Sequence, residues 1–182
     1  MLDEKRKFSV KDLKDQVLSK QLYFPREGIE RIRNAKDFIE DTLNVRLEIG
    51  ERELKIISDK KEIEDFLQGE SILKALSLGF SPTTSLKLRN PEYDLQQMDI
   101  KKYGQDVRRI KGRIIGREGK TKEKIEKITN TSIVITKRRV AVIGRFSNIE
   151  LALKAIQKIA SGQRHQTVYR WLNNEKRRLR WE

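Results

Sequence analysis

Apolar residues recur along the chain with two alternating periods. Arg26–Leu43 carries helical spacing. Val45–Ile49 and Glu53–Ile57 alternate as strands, and a helical stripe runs from about Lys60 to Leu78. The pattern then repeats. Lys120–Thr129 reads as a helix with Ile125 and Ile128 on one face. Thr131–Thr136 and Arg139–Ile143 read as strands joined by a turn at Lys137-Arg138, and Ile149, Leu153, Ile156 and Ile159 form an amphipathic stripe that ends near Gly162. A short opening strand is predicted for each stretch, at Gln21–Phe24 and at Val107–Lys111. Gly112–Gly119 is predicted as a turn between short helical pieces.

Residues 86 apart match without a gap. Phe24 meets Ile110, Ile29 meets Ile115, Lys36 meets Lys122, Ile39-Glu40 meets Ile125-Glu126 and Asn44 meets Asn130. Leu47 and Ile49 meet Ile133 and Ile135; Leu54 and Ile56 meet Val140 and Val142; Ile63-Glu64 meets Ile149-Glu150; Leu67 and Leu73 meet Leu153 and Ile159. Charged and Asn positions match as well as apolar ones, so two copies of one β-α-α-β-β-α unit are predicted.

The copies are assigned to residues 21–79 and 104–162, with a charged segment at 1–20 and a connector at 80–103. Ser81 is positioned to cap a short helix whose first residue is Pro82, and Asn90-Pro91 breaks it. Phe80, Leu86, Leu88, Tyr93, Leu95 and Met98 make the connector a packed segment rather than a flexible linker, and the two copies are expected to pack together. Residues 163–182 read as an extra basic helix.

Charge divides the chain more sharply than the repeat does. Residues 1–100 hold 18 basic and 20 acidic side chains, a balance of −2, while residues 101–182 hold 23 and 7, a balance of +16. A cationic half beside a neutral one points to a polyanionic partner for the second copy. The absence of Cys and the single His165 exclude disulfides, thiol catalysis and a two-His metal site within one chain. No apolar run approaches ~20 residues, so no membrane span is predicted. The N-terminal residues lack an apolar stretch, and the expected location is cytoplasmic.

The chemistry concentrates at Ile114-Ile115-Gly116-Arg117-Glu118-Gly119, followed by Lys120-Thr121-Lys122 and a helix. Two glycines allow the backbone to approach phosphates closely, and the following helix N-terminus adds a positive field. Arg113, Arg117, Lys120 and Lys122 add full charges. Ile114, Ile115 and Ile133, with Ile135 as a further candidate, are read as an apolar wall for unstacked bases. Without that context the same residues would be an ordinary Gly-rich turn. This segment resembles the GxxG loop of KH domains, which hold about four nucleotides of single strand. Lys122 departs from the pattern, since that position is often apolar in the family. In the first copy the same register gives Glu30 and Arg33 in place of Gly116 and Gly119, with Gly28 nearby but out of register. That copy also carries Glu48, Glu51, Glu53, Asp59, Glu62, Glu64 and Asp65. It is expected to have lost RNA clamping and to serve packing or protein contact; the alternative is RNA contact through Arg31, Arg33 and Lys36.

Taken together, residues 20–182 resemble the archaeal two-KH ribosome-biogenesis protein, a relative of the eukaryotic small-subunit assembly factor that works beside the Nob endonuclease. The resemblance rests on the degenerate first copy and on Gly79-Phe80-Ser81-Pro82 followed by Leu86-Lys87-Leu88. It rests also on Ile100-Lys101-Lys102-Tyr103-Gly104, on the Arg113–Thr121 segment, and on Gly162-Gln163-Arg164-His165-Gln166-Thr167-Val168-Tyr169. It implies an α+β fold of two tandem type I KH domains with a C-terminal basic helix. It also implies binding near the 3′ end of small-subunit rRNA, help with its maturation, and an rRNA-processing endonuclease as partner.

In the tail, Arg164, Arg170, Lys176, Arg177, Arg178 and Arg180 interleave with His165, Tyr169, Trp171 and Trp181. Arg164, Arg170, Arg177 and Arg178, with Arg138 in the strand turn, are taken as further RNA contacts, while Trp171 is read as docking the helix. Carboxylate pairs such as Asp37/Asp41 and Glu123/Glu126 have the spacing of a solvated helix face. Gly119-Lys120-Thr121 lacks the upstream glycine of a P-loop. No enzyme, cofactor or small-molecule substrate is predicted, and an adaptor that recruits a processing enzyme through the acidic copy is the alternative.

Overall fold

The computed structural model describes residues 18–58 and 63–178, except the side chains of 63–65. Its elements are β1 (Leu18–Tyr23), α1 (Arg26–Asn34), α2 (Lys36–Leu43), β2 (Arg46–Ile49), β3 (Glu53–Ser58) and α3 (Ile63–Leu78), then α4 (Pro82–Ser85), β4 (Tyr93–Asp99), α5 (Val107–Ile115), α6 (Lys120–Thr129), β5 (Ser132–Ile135), β6 (Arg139–Arg145), α7 (Phe146–Ala160) and α8 (His165–Arg178). They divide into two units, one ending at Ser77 and one beginning at Leu78. Each unit contains an antiparallel three-stranded sheet, β1-β3-β2 in the first and β4-β6-β5 in the second. The fold is α+β with the element order β-α-α-β-β-α in both units, as expected for tandem KH domains.

The second unit's opening strand is not where the pattern placed it. Val107–Lys111 belongs to α5, and the strand is Tyr93–Asp99, inside the predicted connector. Asp106 decides the matter locally: its carboxylate accepts from the Arg109 amide at 2.9 Å and caps α5, which buries Ile110 and Ile114 at helical spacing. β4 then pairs with β6 from Tyr93↔Arg145 to Asp99↔Arg139. Ser81 caps α4 as predicted, accepting from Thr84 N at 3.2 Å with Pro82 in the first helical position.

From α2 onward the two copies agree in detail. α2 and α6 end on Asn44 and Asn130, both left-handed at φ 51° and 53°. In both, a glutamate near the helix end accepts from a strand amide: Leu47 N donates to Glu40 at 2.6 Å, and Ile133 N to Glu126 at 2.7 Å. Lys36 and Lys122 pair with these same glutamates. The charged matches of the repeat are therefore parts of one helix–strand joint.

Before α2 the copies diverge. α1 and α2 are joined by Ala35 alone, whereas Gly116–Gly119 separates α5 from α6. Glu30 and Arg33 lie within α1 and are not counterparts of the glycines; the first copy lacks the loop altogether instead of carrying other residues in it. Gly28 is also helical, and a Cβ there would meet Ser77 of α3 at 2.9 Å, so it permits close packing of α1 on α3.

The second unit has a continuous apolar core. Ile110, Ile114, Ile125, Ile133, Val140, Val142, Ile149, Ala152, Ile156, Val168 and Leu172 are all buried there. α8 contributes the last two, so it is part of this unit's core rather than an appended tail. The predicted charged segment lies outside the described residues, except that 18–20 open β1; Arg180 and Trp181 lie outside them too. No described helix is long and apolar enough to cross a membrane.

Candidate nucleic-acid interface

α5 ends where Gly116 takes φ 75° and ψ 176°, a combination available essentially to glycine alone. Arg117–Gly119 form one tight turn, with Glu118 left-handed at φ 54° and Gly119 at φ 79°. Gly119 is the N-cap of α6, and no side chain caps that helix. The first-turn amides of α6 therefore lack a side-chain acceptor and carry the positive end of the helix dipole. Arg117 is exposed at the turn, and Lys120 pairs with Glu118 at 2.7 Å, both side chains well exposed. A tight turn, an uncapped ten-residue helix and an exposed arginine form a cradle for a phosphate.

α8 braces this loop from behind. Tyr169 Oη donates to Thr121 Oγ1 at 3.2 Å, and Lys124 Nζ lies 4.2 Å from the Tyr169 ring centre. Thr121 in turn sits against Gly116: a Cβ on Gly116 would lie 2.2 Å from Thr121 Oγ1. Below the loop, His165 Nε2 donates to the Arg113 carbonyl at 2.9 Å. Arg113 itself donates from Nε to Ile159 O at 3.1 Å and from its guanidinium to Gln163 O at 2.7 Å. Arg113 thus fixes the turn between α7 and α8 instead of facing a ligand.

The predicted site residues separate by burial and by partner. Ile114 and Ile133 are buried core residues, at 0% and 2% exposure, and cannot form the wall proposed for them; helical and strand parity turn both inward. Ile115 and Ile135 remain half-buried and supply what apolar surface there is. Lys122 is held by Glu126 at 3.0 Å, as Lys36 is by Glu40 in the copy without a loop, so its role is that of the helix–strand joint. Gly116, Arg117, Glu118, Gly119 and Lys120 do come together in one turn. Arg138, Arg164, Arg170, Arg177 and Arg178 are exposed. Arg164 lies just before α8, and Arg170, Arg177 and Arg178 are spread along that helix, which is about 21 Å long, so the four do not form one cluster. Trp171 is half-buried against the core with Lys158 Nζ 4.9 Å from its ring, which is the docking role read for it. Sequence reasoning missed Thr121 and Tyr169 as parts of the loop's support. Gly119-Lys120-Thr121 is visible in the sequence, but nothing local says what the hydroxyl meets. Among the described residues no group of three or more His, Asp or Glu is placed to hold a metal ion.

Residues 93–177 match the family model for the second KH domain of PNO1, described as a eukaryotic-type KH domain of type I. The match begins on the first residue of β4 and runs into α8 as far as Arg177. A KH domain-containing protein of Methanocaldococcus jannaschii, MJ0443, is 32% identical over 153 residues, covering 81% of this chain and 67% of that protein. The chain belongs to the PNO1 family of KH-domain proteins. The pre-rRNA-processing protein PNO1 of Phaeosphaeria nodorum is 31% identical over 134 residues, 70% of this chain and 51% of the fungal protein, so the chain spans about half the length of that relative. A chain in the crystal structure of an a/eIF2α–aDim2p–rRNA complex from Pyrococcus horikoshii superposes with a TM-score of 0.81 and 29% identity, covering 88% of this chain and 95% of that one. The eukaryotic PNO1 relatives carry names for RNA binding and pre-rRNA processing, and neither these names nor that of the M. jannaschii protein is that of an enzyme.

Proposed function

We propose that this protein binds single-stranded RNA through its second KH unit and acts in maturation of small-subunit rRNA, near the 3′ end of that RNA. The observation that carries the reading is the Gly116–Gly119 turn, set on the uncapped N-terminus of α6 with Arg117 exposed. The first unit, whose loop is reduced to Ala35, has no such cradle. The rRNA of the Pyrococcus complex and the pre-rRNA-processing names of the eukaryotic relatives support the choice of RNA. An adaptor role for the acidic first unit, recruiting an rRNA-processing endonuclease, is compatible with this division and rests on the mixed charge of that unit. The protein works by binding and positioning.

The test is fluorescence anisotropy with a labelled single-stranded RNA from the 3′ end of small-subunit rRNA. Arg117→Asp with Glu118→Asp adds negative charge to the cradle without touching buried residues. Binding should weaken at least tenfold with an unchanged circular-dichroism spectrum. Full affinity in the folded variant would refute the assignment of this loop.

A further inference from the structure

The second unit contains a segment that the first lacks. In the first, only Phe24 and Pro25 separate β1 from α1; in the second, residues 100–106 separate β4 from α5. Two residues suffice for the joint, so the extra ones are not needed to close the fold. They are nevertheless firmly held. Ile100 is fully buried in the core and its amide donates to Arg138 O at 3.0 Å. Asp99 Oδ1 accepts from the Lys101 amide at 2.8 Å and caps a 3-10 turn over Ile100–Tyr103. Tyr103 Oη reaches Met98 Sδ at 3.5 Å. The turn presents Lys101 and Lys102 to solvent.

The strand register fixes what they stand beside. Asp99 is opposite Arg139, at the end of the sheet where β5 turns into β6 through Lys137 and Arg138. Five cations therefore lie on two short segments tied by one backbone hydrogen bond. Asp99 is the acid between them, and one of its oxygens is committed to an amide. Arg139 donates to Gln97, a neutral partner, at 3.4 Å. Among the described residues no carboxylate pairs with Lys101, Lys102 or Arg138. The same place in the first unit is an internal control: its β2–β3 turn is Gly50-Glu51-Arg52, flanked by Glu48 and Glu53, and it has no inserted lysines. Like charges gathered around a single acid raise one another's energy, and a polyanion relieves that repulsion while releasing counterions.

We propose that Lys101 and Lys102, together with Arg138, form a second phosphate-binding strip that holds single-stranded RNA beyond the stretch gripped at Gly116–Gly119. The proposal rests on the RNA-binding reading above. Lysine ammoniums act on phosphates as point charges and read no bases. The strip therefore adds length-dependent affinity and salt sensitivity, and it adds no sequence preference. A KH groove holds about four nucleotides, so only a longer RNA can reach both places.

The experiment compares the full chain with its Lys101→Ala/Lys102→Ala variant on two labelled RNAs from the 3′ end of small-subunit rRNA, of about five and about twelve nucleotides. The variant should bind the longer RNA about tenfold more weakly at low salt. Its plot of log affinity against log salt should flatten by about 1.4, the value for two single-strand phosphate contacts. Its affinity for the shorter RNA should stay unchanged, and Arg138→Ala should lower affinity for the longer RNA in the same selective way. Unchanged affinity and slope on the longer RNA would overturn the strip, as would an equal loss on both RNAs, which would mean a general field instead of a local contact. Wild-type protein that bound neither RNA would overturn the underlying RNA reading, a result distinguishable from the other two.

Discussion

Gly116→Ala is the sharpest probe of the loop. The new Cβ would lie 2.2 Å from Thr121 Oγ1, 2.7 Å from Thr121 Cβ and 2.9 Å from Thr121 N. The hydroxyl can rotate away, but the other two atoms belong to the first turn of α6 and Thr121 is buried, so helix and loop must separate. Three effects add. Holding a non-glycine residue in this region of φ and ψ costs about 1–3 kcal/mol. Overpacking costs about 1–3 kcal/mol. Displacing Thr121 breaks its hydrogen bond to Tyr169, a loss of about 1 kcal/mol. Rearrangement of the loop relieves part of this, which leaves a net destabilisation of about 3 kcal/mol and a fall in melting temperature of roughly 10–20 °C for a unit of ~100 residues. Gly119→Ala is the control. Its φ of 79° also strains alanine, but nothing lies within 4 Å of the added carbon, so the expected loss is about 1–2 kcal/mol. Adding Thr121→Ala to Gly116→Ala should recover only the smaller part, because the contacts to Cβ and N persist. Thermal melts followed by circular dichroism, with RNA anisotropy on the same samples, decide the matter. Equal losses for the two glycines, or a Gly116→Ala protein as stable as wild type, would refute the seating of Gly116 on Thr121.

Two further outcomes follow from the same geometry. Glu118→Asn places a residue that tolerates the left-handed region at φ 54° and removes the one carboxylate in the turn, freeing Lys120. RNA should bind about threefold more tightly with stability unchanged or slightly raised, and weaker binding in the anisotropy assay would show that Glu118 does not oppose the phosphates. Arg31→Glu with Arg33→Glu removes donors to Ser77 O at 2.8 Å and Gly50 O at 3.1 Å. Melting should show a loss of about 1–3 kcal/mol with RNA affinity within twofold of wild type. A loss of RNA binding matching that of charge reversal at Lys120 would make the first unit a clamp after all.

What the sequence discloses depends on where the two copies share their geometry. The 86-residue register holds from Lys36 with Lys122 to Leu73 with Ile159, because over those stretches both copies need the same helix, turn and strand lengths. Ahead of it the register fails: the first copy has no loop between its first two helices and the second has a longer joint between strand and helix, and apolar matches such as Phe24 with Ile110 persist by periodicity alone. β4 is hard to see in the sequence because Gln96-Gln97 interrupts its apolar alternation and all its side chains but Asp94 are only partly buried. Asp106 is a readable helix start, but Val107 and Ile110 look strand-like beside it. The loop, its glycines and Arg117 are legible from local spacing. The roles of Arg113, Ile114, Ile133 and Lys122 are not, because burial and partnership are set by contacts more distant along the chain, such as Arg113 with Gln163. Sequence spacing identifies where a charge lies along the chain and leaves open whether it is already taken.

The joint between α2 and β2, repeated between α6 and β5, has a consequence for recognising relatives of this protein. Glu40, Asn44 and Leu47 recur as Glu126, Asn130 and Ile133, each glutamate bonding the strand amide and each asparagine turning the chain in the left-handed region. The string of Glu, three residues, Asn, two residues and Leu or Ile therefore encodes a mechanical coupling that survives in a copy with no phosphate loop at all. A search keyed to glycines passes over such copies. One keyed to this coupling would detect a KH unit by how its helix hands over to its sheet, and so could find silent members of the fold in chains where the binding function has moved elsewhere.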